Sequence, residues 1–443
     1  MKVCLISLGC DKNLADSEIM ISILQEHGHK LVETEEAADA IVINSCCFIN
    51  DAKEESINTI LECGKRKEEN LKYLVVAGCL AQRYADEIRE ALPEVDALLG
   101  TSSYADIADV LDELEKQQTF AMRFREPDYL PDITVERGHF TGTAYAYIKI
   151  AEGCDKHCTY CVIPGIRGPF RSVSMERILE EADSLAQKGV KELILVAQET
   201  TLYGVDRYGY KRLPELLREL CKIEGPEWIR LMYCYPEEIT DELITVMKEE
   251  KKIVKYLDMP VQHAADTVLK RMGRRTNRKE ITELIRKLRK EIPQIVLRTS
   301  LITGFPGETE EEFNDLCDFV REIRFDRLGV FTYSKEEGTP AARMKPQVTQ
   351  KIKKQRRDMI MRIQQQIAFE RAEERIGTVL EVQIEGEIPE DEVYVARGYM
   401  DAPNVDGYVF VKGSRGKVSG TVLPVRIVGA QGYDLIAEEW REV

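Results

Sequence analysis

Along the first hundred residues, apolar runs of strand length alternate with stretches whose apolar positions recur at helical spacing. KVCLISLGC, ADAIVINSCCF and KYLVVAGCL read as strands. DSEIMISILQEHG, with Gly28 just past it, reads as a helix, as do AKEESINTILECGKRK and AQRYADEIREAL. This alternation predicts a doubly wound parallel sheet. Residues 118–139 show no clear period and contain two prolines, so they read as a linker. A second strand–helix series follows. Its strands are AYAYIKIAEG, ELILVAQ, IRLMYCYP, KYLDMPVQ, IVLRTSLITG and RLGVFTYS, with helical stretches such as SMERILEEADSLAQKG between them. Six such units predict a partial (β/α)6 barrel, short of the eight of a complete one. TQKIKKQRRDMIMRIQQQIAFERAEER reads as a connector helix with a solvated face. From Gly377 the pattern changes to short strands with Gly- and Asp-rich turns, which predicts a small antiparallel β-barrel. The fold class expected is therefore α/β multidomain. The units are residues 1–117, the linker 118–139, a barrel with its connector helix at 140–372, and a terminal β domain at 373–443.

Composition adds limits. The 443 residues carry a net charge of −16, which argues against a general nucleic-acid binder and leaves room for a basic partner. No apolar run approaches the length of a membrane span. MKVCLISLGC is too short for a signal h-region, and DKN follows at once. Twelve cysteines without an export signal read as a reduced, cytoplasmic protein, in which clustered cysteines serve as metal ligands or catalysts more often than as disulfides.

Six of the twelve cysteines fall into two sets of three. Cys10, Cys46 and Cys79 each end a strand of the first series, 36 and 33 residues apart, one βαβ repeat each time. Ligands of such sheets gather beyond the carboxyl ends of the strands, so the three can converge. The second set lies in CDKHCTYC, where Cys154, Cys158 and Cys161 follow the first barrel strand. This C-x-x-x-C-x-x-C run is too compact for a paired-knuckle zinc site, and no fourth Cys or His stands at knuckle spacing. His157 reads as a loop residue, because chelation between adjacent ligands would be strained. A four-iron cluster held by three thiolates keeps one iron open to a small molecule. Cys4, Cys63, Cys221, Cys234 and Cys317 read as small buried apolar residues.

CDKHCTYC, placed after the first strand of a partial barrel, resembles the radical S-adenosylmethionine superfamily. The resemblance implies that S-adenosylmethionine chelates the open iron and is cleaved to a 5′-deoxyadenosyl radical. It implies cosubstrate contacts at Tyr160, near the adenine, and at Gln198 and Glu199, which end the second barrel strand. Arg298 and Ser300 on the fifth strand would reach the carboxylate or ribose, and Gly304 in LITGFPGE would allow a close backbone approach. Asp258, Gln262 and His263 in YLDMPVQH are further contacts for substrate or cosubstrate. With Cys10, Cys46 and Cys79 added, the whole chain resembles the methylthiotransferases. That subgroup combines an amino-terminal cluster domain, a radical-SAM barrel and a TRAM-type β domain. The implied cofactors are two 4Fe-4S clusters and S-adenosyl-L-methionine, the second cluster delivering sulfur. Matching family stretches usually have glycine where this chain has Cys47, which leaves Cys47 a spare thiol or an alternative ligand to Cys46.

SLGCDKNLADSE, INSCCFINDAKEESINTIL and MDAPNVDGYVFV are similar to the branch that modifies an aspartate of small-subunit ribosomal protein S-twelve. That branch reads close to SLGCPKN, and here Asp11 replaces the proline. The alternative is the branch acting on an adenosine of transfer RNA, which tends toward GCQMN. From Glu373 onward there are 14 acidic and 7 basic residues, a net of −7, which suits a basic ribosomal protein better than RNA. The basic stretch RMGRRTNRK, Arg271 to Lys279, points the other way, or serves S-adenosylmethionine or a substrate carboxylate. The expected partners are S-twelve, through the acidic terminal domain, and a reductase such as a flavodoxin-type electron donor; no membrane is expected. A protein that merely stores clusters explains the cysteines but not the polar residues at the strand ends.

Overall fold

A computed structural model describes the chain except residues 118, 132–134, 141, 391, 414–415 and 441–443. Parts of the expected linker, barrel unit and terminal domain therefore lie outside the described residues. The amino-terminal sheet has six parallel strands: β1 (Lys2–Ser7), β2 (Lys30–Leu31), β3 (Ala40–Ser45), β4 (Tyr73–Gly78), β5 (Ala97–Leu99) and β6 (Ala121–Arg123). Their order is β2-β1-β3-β4-β5-β6. Strand alternation divides the core between the two faces. Ala40 and Val42 pack with Ile19, Met20, Ile107 and Leu111 on one side. Ile41 and Ile43 pack with Ile60, Cys63 and Ile88 on the other. The helix expected in AQRYADEIREAL is two pieces, Cys79–Arg83 and Ala85–Ala91, parted at Tyr84.

The expected linker needs correction. Residues 121–123 pair with β5 and form the edge of the first sheet. Further along, Arg137 is buried and bonds Glu18 of the first unit at 3.0 Å, Glu181 at 2.5 Å and the Tyr147 carbonyl at 2.6 Å. The segment is held by side-chain ion pairs, which leave no periodic trace in a sequence.

The second sheet starts with β7 (Tyr145–Lys149). A short antiparallel pair, β8 (Ala151–Glu152) and β9 (Arg171–Ser172), then brackets the CDKHCTYC loop. The sheet continues with β10 (Glu192–Val196), β11 (Trp228–Leu231), β12 (Ile253–Asp258), β13 (Val296–Thr303) and β14 (Arg327–Thr332). Its order, β14-β13-β12-β11-β10-β7, is sequential and parallel, an open barrel of six strands. Four of the intervening helices begin at side-chain caps: Ser174, Thr240, and capping boxes at Asn277 with Glu280 and Thr309 with Glu312. The connector helix Gln350–Glu373 packs against β14.

The terminal barrel closes through β15 (Val379–Ile388), β16 (Val393–Gly398), β17 (Val409–Lys412), β19 (Asp434–Glu439) and β18 (Val422–Gln431). Four of its pairings are antiparallel and one, β17 with β19, is parallel. Its core joins Tyr145, Ile194, Trp228, Tyr256 and Val296 of the second sheet. These are the residues that face away from the helices, so the terminal barrel covers the lower part of the concave face. Further up the same face the residues become polar: Lys149, Gln198, Asp258, Arg298 and Ser300. That change leaves the polar groups at the carboxyl ends of the strands, where a barrel of this kind binds its ligands.

Candidate functional site at two cysteine triads

Cys10 caps the helix Asp11–Glu26, Cys46 follows β3 directly, and Cys79 opens the helix after β4. All three thus stand beyond neighbouring strand ends. Asn13 ties the loops together, donating to the carbonyls of Leu8 at 3.0 Å and Ser45 at 3.1 Å. Gly9 has φ +88°, and a Cβ there would lie 2.5 Å from the Cys46 Cβ and 2.8 Å from its Sγ, so only glycine allows the two loops to meet. Burial pushes the Cys46 thiol up to about 11, with Cys79 and Cys10 among its neighbours. Burial also raises Cys79, opposed by the Arg167 guanidinium, whose Nη2 lies 3.5 Å from the sulfur. Cys47 faces the apolar core instead and donates to the Cys79 carbonyl at 3.2 Å.

The second triad sits in a loop held from three sides. The Cys154 amide donates to the Gly168 carbonyl at 3.1 Å, and the Gly153 amide to Gln198 Oε1 at 2.9 Å. Thr159 is tied through its amide to the Met272 carbonyl at 2.9 Å and through its hydroxyl to the Arg271 carbonyl at 2.8 Å. His157 is exposed, with φ +50°. Burial lifts Cys154 to about 11 and Cys161 to about 12, each thiol raised further by Cys158. Two neighbouring thiols that resist ionising alone suit a cationic core that binds thiolates. Among the described residues no three His, Cys, Asp or Glu side chains are gathered to hold one metal ion. The thiolates of a four-iron cluster each bind a different iron, a wider arrangement.

Beside this loop are buried polar atoms with no partner among the described residues. Glu199 is 0% exposed; its Oε1 accepts from the Thr201 amide at 2.9 Å, while Oε2 has no partner. Burial pushes its carboxyl up to about 7. An ammonium group of a ligand would satisfy that oxygen. Arg274 lies 4.1 Å over the Tyr235 ring, with Nε and Nη1 unpartnered, and the Tyr235 hydroxyl is 3.9 Å from Cys158 Sγ. The sequence reading missed Tyr235 and saw Arg274 only as part of a basic stretch; neither stands near the cysteines in sequence.

The other expected contacts divide. Tyr160 lies edge-on to Phe305, centroids 6.5 Å apart. Gln198 spans the Gly153 amide and Glu152, at 2.9 Å each, and so positions the loop. Arg298 bonds Asp258 at 2.6 Å, and the Ser300 carbonyl accepts from the Gln262 amide at 2.9 Å. These remain at the carboxyl ends of the strands. Gly304 does not face them: a side chain there would collide with Lys353 of the connector helix, and its amide bonds Glu308 at 2.9 Å. Helix packing, rather than a ligand's approach, accounts for that glycine. His263 is buried and accepts from the Ala265 amide at 3.0 Å, with Glu308 at 3.5 Å from its Nε2.

The two triads share one interior. Arg167 reaches Asn13 at 2.6 Å and Asp16 at 3.2 Å in the first unit, and Glu152 at 3.0 Å in the second. Lys149 pairs with Asp16 and, at 2.7 Å, with Glu152. The two cations hold the Glu152 carboxyl well below its usual range. A continuous chain of contacts thus runs from Cys79 through Arg167, Glu152 and Gln198 to Gly153, next to Cys154. Elsewhere on the rim, Tyr233 donates to Asp11 at 3.1 Å, and Arg83 bonds Glu336 at 2.7 Å. The carboxyl edge of the first sheet therefore caps the carboxyl end of the barrel.

Family models match residues 148–320 (Radical SAM superfamily), 2–100 (Uncharacterized protein family UPF0004) and 376–439 (TRAM domain). The chain is similar to solved structures of the cobalamin-dependent S-adenosylmethionine radical enzyme OxsB (14% identity, 77% of this chain and 54% of that one, TM-score 0.53). It is also similar to the radical S-adenosylmethionine methyltransferase TsrM from Kitasatospora setae (12%, 74% and 72%, 0.54). These likenesses show the fold. Among curated relatives, ribosomal protein uS12 methylthiotransferase RimO of Lachnoclostridium phytofermentans is 60% identical over 98% of this chain and 99% of its own length. The protein of the same name from Thermoanaerobacter sp. (strain X514) is 50% identical over 98% and 99%. At such identity along nearly its entire length, the chain belongs to the RimO family of ribosomal protein uS12 methylthiotransferases.

Proposed function

We propose that this chain adds a methylthio group to the β-carbon of an aspartate in ribosomal protein uS12. The observation that carries the reading is the convergence of two cysteine triads, from two different sheets, on one capped interior. Cys154, Cys158 and Cys161 would hold one 4Fe-4S cluster, and Cys10, Cys46 and Cys79 a second. When bound, the clusters and S-adenosylmethionine supply the electron, the radical, the sulfur and the methyl group. The chain's own residues position these reactants. Glu199 Oε2 would accept from the ammonium of S-adenosylmethionine. Arg298 and Ser300 would face its carboxylate or ribose, and Tyr160 its adenine. Gln198 keeps the cluster loop in register through Gly153. The capping sheet excludes water from the space where a carbon radical must survive.

For the partner, strand β15 exposes Glu381 and Glu387, and Glu390 follows it, on a domain whose net charge suits a basic protein. The reductant would be a flavodoxin-type protein. Of the basic stretch 271–279, Arg271 is bonded to Glu312, Arg274 is buried and Arg278 is paired with Glu322, which leaves Arg275 and Lys279 as its exposed cations, few for a grip on RNA. Mass spectrometry on cells lacking and expressing the chain tests the proposal, covering small-subunit proteins and transfer RNA nucleosides together. A methylthio mass gain on uS12 alone is expected. A gain on an adenosine alone would overturn the substrate.

A further inference from the structure

Lys12 is the second residue of the helix that Cys10 caps, and it is only 7% exposed. Its Nζ lies 3.1 Å from Asp11 Oδ1 and 3.3 Å over the ring of Tyr233. Tyr233 follows β11 at the carboxyl end of the barrel and is held at φ +60°, a conformation uncommon outside glycine. Its hydroxyl donates to the same Asp11, and its amide donates to Asp258 at 3.0 Å. The ammonium thus stands at the seam between the capping sheet and the barrel, beside Cys10.

Two other cations of this interior are more fully engaged. Lys149 and Arg167 each share two carboxylates, Asp16 and Glu152. Arg298 is bonded to Asp258, and its position on β13 places it across the barrel from β7. Lys12 has three donors, one carboxylate neighbour and an aromatic face, and that carboxylate is shared with a phenol.

We propose that Lys12 binds the side-chain carboxylate of the substrate aspartate and so selects an acidic residue for modification. This rests on the uS12 reading above. The carboxylate of an aspartate is bonded directly to its β-carbon. Whatever holds that carboxylate must therefore lie beside the triad that delivers sulfur, and Lys12 is a cation two residues after Cys10. An ammonium in so dry a site gives a charge-assisted bond to a carboxylate and a weaker one to a neutral amide. Asp11 keeps Lys12 in place while the site is empty and competes with the substrate for it.

The test uses the full-length, cluster-loaded protein, anaerobic and without reductant so that nothing turns over. Dissociation constants are measured for uS12 and for uS12 carrying Asn at the target position. The native chain should prefer the Asp form by roughly tenfold to a hundredfold, the range of a charge-assisted bond. Lys12→Met should reduce that preference to within about twofold, mainly by weakening the Asp form, and Lys12→Arg should restore part of it. Asp11→Asn should increase the preference, a direction that misfolding cannot mimic. Iron content and circular dichroism check that each variant is intact. An unchanged preference in Lys12→Met, or a reduced one in Asp11→Asn, overturns the inference and leaves the enzyme's substrate standing. If the native chain neither binds nor modifies uS12, the substrate reading falls, and this inference with it.

Discussion

The terminal barrel is held to the second sheet by a buried charge triad that one substitution can unbalance. Glu192, the first residue of β10, is 0% exposed, as are its partners Arg230 at 2.6 Å and Arg397 at 2.8 Å. Glu192→Gln keeps the shape and removes the negative group that both guanidinium groups share. Arg397 retains Glu385 and the Asp401 carbonyl. Arg230 keeps the Tyr399 carbonyl at 2.8 Å, the Tyr256 ring at 4.5 Å and the nearby charge of Asp401, which is already bonded to Arg327. Breaking a buried pair costs about 3–5 kcal/mol, and the contacts that survive place this variant near about 3 kcal/mol. Because Arg397 belongs to the terminal barrel, that cost falls on its docking, a change of more than about a hundredfold in the docking equilibrium. Hydrogen exchange should quicken in β10, β11 and β16, and limited proteolysis should release the segment around 376–439. Replacing all three at once, Glu192→Leu with Arg230→Met and Arg397→Met, should be far milder, since no charge of the triad is then stranded and Glu385, which loses Arg397, is partly exposed to water. The two guanidinium groups hold the Glu192 carboxyl below its ordinary value of 4.5. Its contribution is therefore complete above pH 4.5 and is lost only as pH falls through the depressed value. Unchanged exchange and cleavage in Glu192→Gln would refute the reasoning. So would a triple variant as damaged as the single one, which would assign the docking to apolar packing instead.

Three further outcomes are expected. Cys154→Ala and Cys10→Ala should each remove one cluster, lowering iron from about eight to about four atoms per chain, and neither variant should methylthiolate. In cluster-free protein, Glu199 holds a proton in the folded state between its ordinary 4.5 and about 7, while the unfolded chain has released it. Stability should therefore fall as pH rises through that window, by roughly 3 kcal/mol at pH 8, and Glu199→Gln should abolish the slope in denaturant titrations. Arg167→Met removes the N–H donor 3.5 Å from Cys79, so the amino-terminal cluster should become harder to reduce. Potentiometry followed by electron paramagnetic resonance in a Cys154→Ala background reads this directly, and an unaltered potential would deny the contact any influence.

What the sequence disclosed was whatever repeats or stays local. The first sheet's cysteines were legible because each ends a strand and the strands recur at βαβ spacing. The six barrel strands and the five of the terminal domain were legible from their period and turns. Short pieces were not: Ala121–Arg123 contributes three residues to a sheet edge, too few for any period, and so passed for linker. The glycine in LITGFPGE is a limit of another sort, since the same residue serves a close ligand or a close helix, and only the position of Lys353 decides between them.

The least legible residues are those that make two domains into one site. Arg167 lies in GIRGPF, a stretch with no period and no metal-binding spacing, yet it is among the largest fully buried side chains. Its partner Asn13 is 154 residues away and its partner Asp16 is 151 away. A buried guanidinium is costly to desolvate unless several acceptors surround it, so it persists only where the fold brings such acceptors together. Here they come from both domains and include a cysteine of the first triad. The same reasoning applies to Arg137, whose acids lie on helices of different domains, and to Arg397, whose acid begins a barrel strand. In each case the sequence shows one arginine among many, and its meaning comes from long-range packing. The triads name the chemistry; these buried arginines fix how the two triads are presented to each other, and their loss should disturb that geometry before it disturbs either domain alone.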